Sequence, residues 1–251
     1  MTLVRCYGMV TPMKRETTNS IRYLLEELLP PVLRDSRFMR WVFRGYWGKL
    51  VSDLEDFRAR AHHVGAQEYA DIYAGLLRIH EGTDNSEVCI QRIIESTVDG
   101  DVLDVGCGTG LLLKRIIERR GTDANSYTGV DIHVDEDTRS AMPKVRFEEA
   151  MAERLPFDDN SFDTVICTHV LEHILDIRQA VAELRRVSRN KIIIVVPKER
   201  EYSFTFNPHL HFFPYPHSFL RHMLPVPTDA VCEQIGRDFF YTETVASVNA
   251  P

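Results

Sequence analysis

The chain has 251 residues, of which 44% are hydrophobic and 27% are charged, and its formal net charge is −7. This is the composition of a globular protein with a substantial core, and a negative balance without a dense Lys/Arg block argues against a dedicated binder of nucleic acid or anionic membranes. The five cysteines lack CxxC spacing, and no apolar run has the length of a signal peptide or a membrane span, which predicts reduced thiols in a cytoplasmic protein.

The N-terminal part of the chain is predicted to be helical. Residues 1–18 are expected to be flexible and residues 19–98 to form an appendage, because apolar residues recur at helical spacing in 21–28 and 69–76. An aromatic-rich segment between them is predicted to be a helix ending near Gly48: Phe38, Trp41, Val42, Phe43, Tyr46 and Trp47. These helices either pack on one another and on the rest of the protein, or form a lid with Tyr69 and Tyr73 over a bound ligand.

From residue 99 onward, short apolar runs alternate with helical stretches. The predicted strands are Val102–Val105, Tyr127–Ile132, Val145–Phe147, Phe162–Cys167 and Lys191–Val196, the predicted helices are Leu111–Arg120 and Ile177–Val187, and a hairpin is expected in residues 231–245 around Gly236, Arg237 and Asp238. This alternation predicts an α/β fold with a Rossmann-like, doubly wound, mostly parallel seven-stranded sheet and helices on both faces.

The stretch VLDVGCGTG, residues 102–110, places three glycines on alternate positions directly after a predicted strand and at the start of a helix. Either a tight strand-to-helix turn or a ligand that contacts bare backbone explains them, and the N-terminus of a helix favours an anion. Asp131 ends the second strand, where a carboxylate can accept hydrogen bonds from two ribose hydroxyls. Together the glycines and Asp131 favour an adenosine-containing ligand.

Four segments of the chain carry a family resemblance: VLDVGCGTG, GVDIH, AERLPFDDNSFDTVICTHVLEHI and RRVSRNKIIIVVP. In this order and spacing, over about residues 88–200, the sequence resembles the class I S-adenosylmethionine-dependent methyltransferases, specifically the type 11 group. The resemblance implies that Asp104 and the glycine loop hold the methionine part of S-adenosylmethionine, that Asp131 binds the ribose and that Ile132 packs on the adenine. The cofactor-binding residues predicted in this way are Tyr73, Asp104, Gly106, Cys107, Gly108, Gly110, Asp131, Ile132, Met151, Ala152 and Cys167.

One position departs from the family pattern. Met151 stands where the family usually has an acidic residue that contacts the adenine amino group. We expect the N–H of Ala152 to reach an adenine ring nitrogen and the Met151 thioether to pack in place of the polar contact. Cys167 is expected to contribute backbone, because its thiol is read as a small buried hydrophobe.

Three histidines are candidates for the chemistry. His169 follows the fourth strand, and His209 and His211 lie in an aromatic segment after the fifth strand. A hydroxyl acceptor needs a general base, and either His209 or His211 could deprotonate it. The alternatives are aromatic packing of this segment or a His-x-His metal pair, which lacks an evident third ligand. The acidic run from Asp158 to Asp163 is read as a solvated turn, so no metal site is predicted.

The predicted function is methyl transfer from S-adenosylmethionine to a small or medium-sized acceptor, with a hydroxyl oxygen of a sugar or natural product as the first expectation. A nitrogen acceptor and a non-catalytic S-adenosylmethionine-binding scaffold are the alternatives, and the GxGxG spacing disfavours a nicotinamide-dependent oxidoreductase. The expected partner is the small-molecule acceptor, without nucleic acid and without an integral membrane segment. The sequence leaves a homodimer open.

Overall fold

The structure is a computed structural model that describes residues 28–47, 57–65, 68–69, 83–122, 126–201 and 208–245. The chain divides into two compact units, one of residues 1–81 and 199–210 and the other of residues 82–198 and 211–251. The predicted boundary at residue 98 differs from this division. Residues 87–96 form a helix of the larger unit, because their apolar side chains are buried in a core cluster with the sheet.

The secondary-structure elements described in the smaller unit are helical. They are α1 (Pro31–Arg34), α2 (Arg37–Trp47) and a 3-10 turn (Ala61–His63). The side chain of Ser36 accepts a hydrogen bond from the N–H of Met39 at 3.2 Å, which satisfies one of the open donors at the start of α2. The aromatic-rich segment is therefore a helix, as its spacing predicts.

The larger unit contains all the strands of the described chain. Its elements are α3 (Glu87–Ser96), β1 (Asp101–Val105), α4 (Leu111–Arg120), β2 (Ser126–Asp131), α5 (Glu136–Ala141), β3 (Val145–Glu149), β4 (Phe162–Thr168), a 3-10 turn (Leu171–His173), α6 (Ile177–Val187), β5 (Ser188–Pro197), α7 (Pro216–Leu220), β6 (Val231–Ile235) and β7 (Asp238–Thr244). The bounds of α4 and α6 are those predicted. β5 begins earlier than its β-branched run, because Ser188 already pairs with Phe162 of β4.

The seven strands form one sheet in the order β3-β2-β1-β4-β5-β7-β6. The pairs among β1 to β5 are parallel, whereas β7 is antiparallel to both β5 and β6. The predicted doubly wound, mostly parallel seven-stranded sheet is confirmed, and the tail forms the predicted hairpin.

Helices cover both faces of the sheet. Successive residues of a strand point to opposite faces, so each strand contributes side chains to both layers. Leu103 and Val105 of β1 pack in the same cluster as the apolar face of α6. Val102 packs in the other cluster with residues of α3 and α4. Asp104 alternates with Leu103 and Val105, so its carboxyl group lies on the α3/α4 side of β1.

Candidate functional site

The candidate site lies at the carboxyl ends of the central strands. From β1 the chain builds the sheet towards β2 and β3, and then returns to add β4 and β5 on the opposite side of β1. Such a switch point opens a crevice at the strand ends, where ligands of open α/β sheets bind. In this register Val105 lies between Val130 and Cys167, so the loop after β1 begins at the edge of this crevice.

The backbone N–H groups of the glycine loop are used within the protein. Those of Gly106 and Cys107 both donate to the carbonyl of Val130, at 2.7 and 3.0 Å. That of Gly108 donates to Oδ2 of Asp131 at 2.7 Å. The expectation that this loop offers its N–H groups to an anion is therefore not met at these three positions, and the loop differs in this respect from a cradle for a pyrophosphate.

Two of the glycines have positive φ angles, and a Cβ at either position would also crowd a neighbouring side chain. Gly106 has φ +77°, and a Cβ there would lie 2.0 Å from a methyl group of Val170. Gly110 has φ +70°, and a Cβ there would lie 2.0 Å from Cε of Met142. A tight strand-to-helix turn is thus sufficient to explain these glycines. Support for a bound ligand must come from the side chains beside the loop.

Asp104 and Asp131 place two carboxyl groups at the ends of adjacent strands. Asp104 is only 2% exposed, and burial, with a smaller contribution from the charge of Asp131, raises the pKa of its carboxyl from 3.8 to about 7. A positively charged ligand would remove this penalty. S-adenosylmethionine fits, because its sulfonium and ammonium groups are cationic.

Asp131 also fits a ribose. Its Oδ1 accepts a hydrogen bond from the N–H of Ile132 at 2.8 Å, and its Oδ2 accepts the one from Gly108. These bonds fix the carboxylate, and each oxygen keeps a second lone pair that can accept from a ribose hydroxyl. The side chain of Ile132 is half-buried beside it, which suits the predicted packing on adenine.

The loop after β3 carries the predicted adenine contacts. The N–H of Ala150 donates to the carbonyl of Asp131 at 2.9 Å, which ties the start of this loop to the end of β2. Met151 is half-buried and the side chain of Ala152 is buried in the core. Both residues therefore come directly after Ala150, whose backbone is hydrogen-bonded to that of Asp131.

An ion pair on α6 holds the rest of this loop. Arg186 donates to the carbonyls of Leu155 and Phe157, at 3.0 and 2.7 Å. Glu183 accepts the N–H of Leu155 at 2.8 Å and pairs with Arg186. Sequence reasoning missed this clamp, although the i, i+3 spacing of an acid and a base on α6 is a visible signal for the pair itself.

Cys167, the residue before the last of β4, has an unreactive thiol. Its side chain is fully buried, and burial, followed by the charges of Glu172 and Asp104, raises its pKa well above the ordinary range. A thiolate is therefore disfavoured at neutral pH. This agrees with the prediction that Cys167 contributes backbone.

His169 is enclosed by acidic side chains. Its Nδ1 lies 3.6 Å from Glu172 and its Nε2 lies 3.8 Å from Asp238. Burial alone would lower the pKa of this imidazole, but the hydrogen bond and charge of Glu172, with the charges of Asp238 and Asp84, outweigh burial and raise it. Each ring nitrogen of this imidazole therefore faces a carboxylate. Asp238 escaped the sequence reasoning because β7 brings it here from 69 residues away along the chain.

His211 is fixed by structural hydrogen bonds. Its Nε2 lies 2.8 Å from the carbonyl of Ile174, to which it donates. Its backbone N–H donates to the carbonyl of Glu172 at 3.1 Å, and its ring packs edge-on against His222. These contacts favour the packing alternative for this histidine.

His209 belongs to the smaller unit. Its Nδ1 lies 2.5 Å from Oε2 of Glu199, and both side chains are buried. Glu199 follows Pro197, the last residue of β5, by two positions, and no sequence signal marked it. The remaining predicted residue, Tyr73, lies outside the described residues. The structure thus gathers Asp104, the glycine loop, Asp131, Cys167 and His169 at one edge of the sheet.

Comparisons with known proteins relate part of the chain to methyltransferases. Residues 103–196 match the family model described as "Methyltransferase domain". The chain is 34% identical over 100 residues to the uncharacterised methyltransferase YcgJ of Bacillus subtilis, covering 38% of this chain and 39% of that protein. It is 30% identical over 136 residues to the O-methyltransferase resE of Aspergillus sclerotiorum, covering 47% of this chain and 52% of that protein.

A solved structure shares the fold. The PH0226 protein from Pyrococcus horikoshii is 21% identical and superposes with a TM-score of 0.50, covering 69% of this chain and 98% of that one. The matches to curated relatives span about two fifths to one half of the length of those proteins. Within the described residues, no helix has the length and apolar character that a membrane crossing requires.

Proposed function

We propose that the chain transfers a methyl group from S-adenosylmethionine to a hydroxyl oxygen of a small or medium-sized sugar or natural product. The proposal starts from residues 103–196, which belong to the class I S-adenosylmethionine-dependent methyltransferases of the type 11 group. The observation that carries the proposal is the pair of carboxyl groups, Asp104 and Asp131, at the switch point of the sheet. The similarity to an O-methyltransferase supports oxygen as the acceptor atom.

Different residues of the site would contact the methionine, ribose and adenine parts of the cofactor. Asp104 would face the cationic methionine part, and its carboxyl would ionise when that charge is present. Asp131 would accept hydrogen bonds from the ribose hydroxyls. Ile132 and Met151 would pack against the adenine, and the clamp from α6 would keep Ala152 in place for a backbone hydrogen bond.

When bound, S-adenosylmethionine supplies an activated methyl group, so the protein's main contributions are positioning and exclusion of water. A hydroxyl acceptor must also lose its proton as its oxygen forms the new bond. His169, whose ring nitrogens face Glu172 and Asp238, would orient the acceptor through a hydrogen bond.

His209 lies in the smaller unit, and its role as the base stays a prediction from the sequence. Glu199 would accept the Nδ1–H of this histidine and thereby make Nε2 the basic nitrogen. This arrangement is the usual way in which a carboxylate orients an imidazole for proton transfer. A His209→Asn variant is expected to lose turnover while retaining cofactor affinity.

The first test is calorimetric titration with S-adenosylhomocysteine. Asp131→Asn should weaken binding by at least about tenfold, because it removes a charged acceptor of the ribose hydroxyls. Asp158→Asn is the matched control, since Asp158 is exposed in the turn before β4. Unchanged affinity in Asp131→Asn would refute the assigned site.

Product formation separates the remaining alternatives. Wild type that binds the cofactor is incubated with labelled S-adenosylmethionine and with hydroxyl and amine acceptors in parallel. Transfer to hydroxyl acceptors supports the proposal, and transfer confined to amines would replace oxygen by nitrogen. Binding without product on either class would favour a non-catalytic scaffold, and binding of NAD instead would revive the oxidoreductase alternative.

A further inference from the structure

Two exposed arginines of the larger unit have no partner for their charge among the described residues. Arg178 is the second residue of α6, and Arg221 directly follows α7. Both side chains are exposed, and neither forms a hydrogen bond or an ion pair with any residue that the structure describes. By contrast, Arg185 and Arg186 on the same helix are both paired with glutamates.

Helix α6 itself brings the segment after α7 towards Arg178. The side chain of Arg185 donates to the carbonyls of Met223 and Pro225, at 2.8 and 3.1 Å. Arg178 precedes Arg185 by seven residues, which is about two turns of a helix, so both side chains project from the same face of α6. The segment that carries Arg221 therefore runs along the face of α6 to which Arg178 belongs.

His222 completes this group of basic side chains. Its ring packs edge-on against that of His211, with the ring centroids 5.7 Å apart. His211 Nε2 in turn lies 2.8 Å from the carbonyl of Ile174, just before α6 begins. Burial lowers the pKa of the His222 imidazole, and the positive charges of His211, Arg221 and Arg178 lower it further. We call Arg178, Arg221 and His222 the basic cluster.

The basic cluster has the chemistry of a phosphate site. Its positive groups repel one another, and the N-terminal end of α6 adds a partial positive charge. Asp176 does not offset this charge through an ion pair with Arg178, because its carboxylate accepts the N–H of Gln179 at 3.1 Å. A bound anion would remove the repulsion. Two guanidinium forks and an imidazole suit the three acceptor oxygens of a phosphate group better than the two of a carboxylate.

The basic cluster also lies within reach of the candidate site. Ile174, to which His211 is hydrogen-bonded, follows His169 by five residues, and five residues span at most about 18 Å. The backbone N–H of His211 donates to the carbonyl of Glu172, so the segment leading to the cluster is fixed to the turn after β4. An elongated small molecule could therefore have one end at the carboxyl edge of the sheet and the other end in the cluster.

We propose that the basic cluster binds a phosphate group of the methyl acceptor, which makes the acceptor a phosphorylated sugar or natural product. The identity of this acceptor rests on the proposed methyl transfer, whereas the binding of phosphate by the cluster does not. The net charge of −7 is an average over the whole chain and does not describe this local excess of cations.

Inorganic pyrophosphate is the probe of the cluster, and His222 is the reporter. An NMR pH titration of the full chain with isotopically labelled histidine follows each imidazole, and His222→Gln identifies the resonance of His222. Pyrophosphate should raise the pKa of His222 by about 1, because an anion beside the ring favours its charged form. Arg178→Gln combined with Arg221→Gln should weaken pyrophosphate binding by at least about tenfold.

The control is Arg119→Gln combined with Lys144→Gln, which removes the same charge from exposed positions on α4 and before β3. It should leave pyrophosphate binding unchanged. Without pyrophosphate, the variant of Arg178 and Arg221 should itself raise the pKa of His222, because the repulsion is relieved, and the control variant should not.

Methyl transfer tests the identity of the acceptor. Labelled S-adenosylmethionine is supplied with pairs of hydroxyl acceptors that differ only in a phosphate group, and the phosphorylated member should be preferred. The variant of Arg178 and Arg221 should raise the KM for that member by about tenfold while kcat and the affinity for S-adenosylhomocysteine stay unchanged. Because the pyrophosphate titration needs no turnover, a failure of methyl transfer is distinguished from a failure of the phosphate site.

Four results would overturn the proposal. The first is a His222 pKa that does not respond to pyrophosphate in folded wild type. The second is an equal loss of pyrophosphate binding in the control variant, which would mean that net charge and not this cluster is responsible. The third is preferred transfer to acceptors without phosphate. The fourth is sedimentation with phosphatidylglycerol vesicles that the variant of Arg178 and Arg221 abolishes, which would assign the cluster to lipid headgroups.

Discussion

The buried carboxyl of Asp104 makes the stability of the protein depend on pH in a way that can be calculated. The folded-state pKa of this group is raised from 3.8 to about 7, so the folded protein holds the proton more tightly than the unfolded chain. The resulting stabilisation is present at low pH and is lost as pH rises through the interval between these two values. The loss amounts to about 4 kcal/mol once pH exceeds about 8.

Asp104→Asn removes this titration while keeping a similar shape. The stability of the variant relative to wild type should therefore rise by about 2.5 kcal/mol between about pH 5 and about pH 8. Urea unfolding of both proteins across this range measures the difference. Asp101→Asn is the control, because Asp101 is the first residue of the same strand and lies at the strand end opposite to the site.

Cofactor binding provides a second readout of the same group. The cationic cofactor should lower the pKa of Asp104, so its binding near pH 7 should release a proton from wild type and none from Asp104→Asn. Calorimetry in buffers of different ionisation enthalpy measures this release. A stability difference that stays flat with pH, in two folded proteins, would refute the assignment of a raised pKa to Asp104.

Two further predictions concern the walls of the site. Gly106→Ala should destabilise the protein by more than about 2 kcal/mol, because its Cβ would meet the branched side chain of Val170, whereas Gly236→Ala, which also has a positive φ but open space, should cost only about 1 kcal/mol. Thermal unfolding compares them, and equal costs would mean that backbone strain and not crowding requires Gly106. Arg186→Met should weaken S-adenosylhomocysteine binding by about tenfold, because the loop carbonyls at Leu155 and Phe157 lose their donor. Calorimetry with Arg189→Met as control checks this, and an unchanged affinity would show that the loop holds its position without the clamp.

Much of the sheet could be predicted because its signals are local. Helix α4 begins after Gly110 and ends before Gly121, and both glycines are visible in the sequence as a start and a stop. Helix α6 begins after Asp176, whose side chain accepts the N–H of Gln179. The continuous apolar run of β5 indicated a strand buried on both faces.

The boundary of the helical appendage could not be read in this way. Residues 87–96 have the same helical periodicity as the segments before them. Periodicity shows that a helix has an apolar face but does not show which core that face enters. Burial of this helix with α4 and the sheet, and not its sequence pattern, assigns it to the larger unit.

The succession of strands and helices along the chain and the position of the glycine loop followed from the sequence by itself, because strand alternation, glycine spacing and the carboxylates at the strand ends are properties of consecutive residues. The state of the side chains was decided only by the tertiary structure. Asp104 acquires its raised pKa from burial, and His169 acquires acidic neighbours because β7 pairs with β5 and brings Asp238 to the carboxyl edge. Charge and proton affinity depend on what surrounds a group in space, and that information is absent from the chain until it folds.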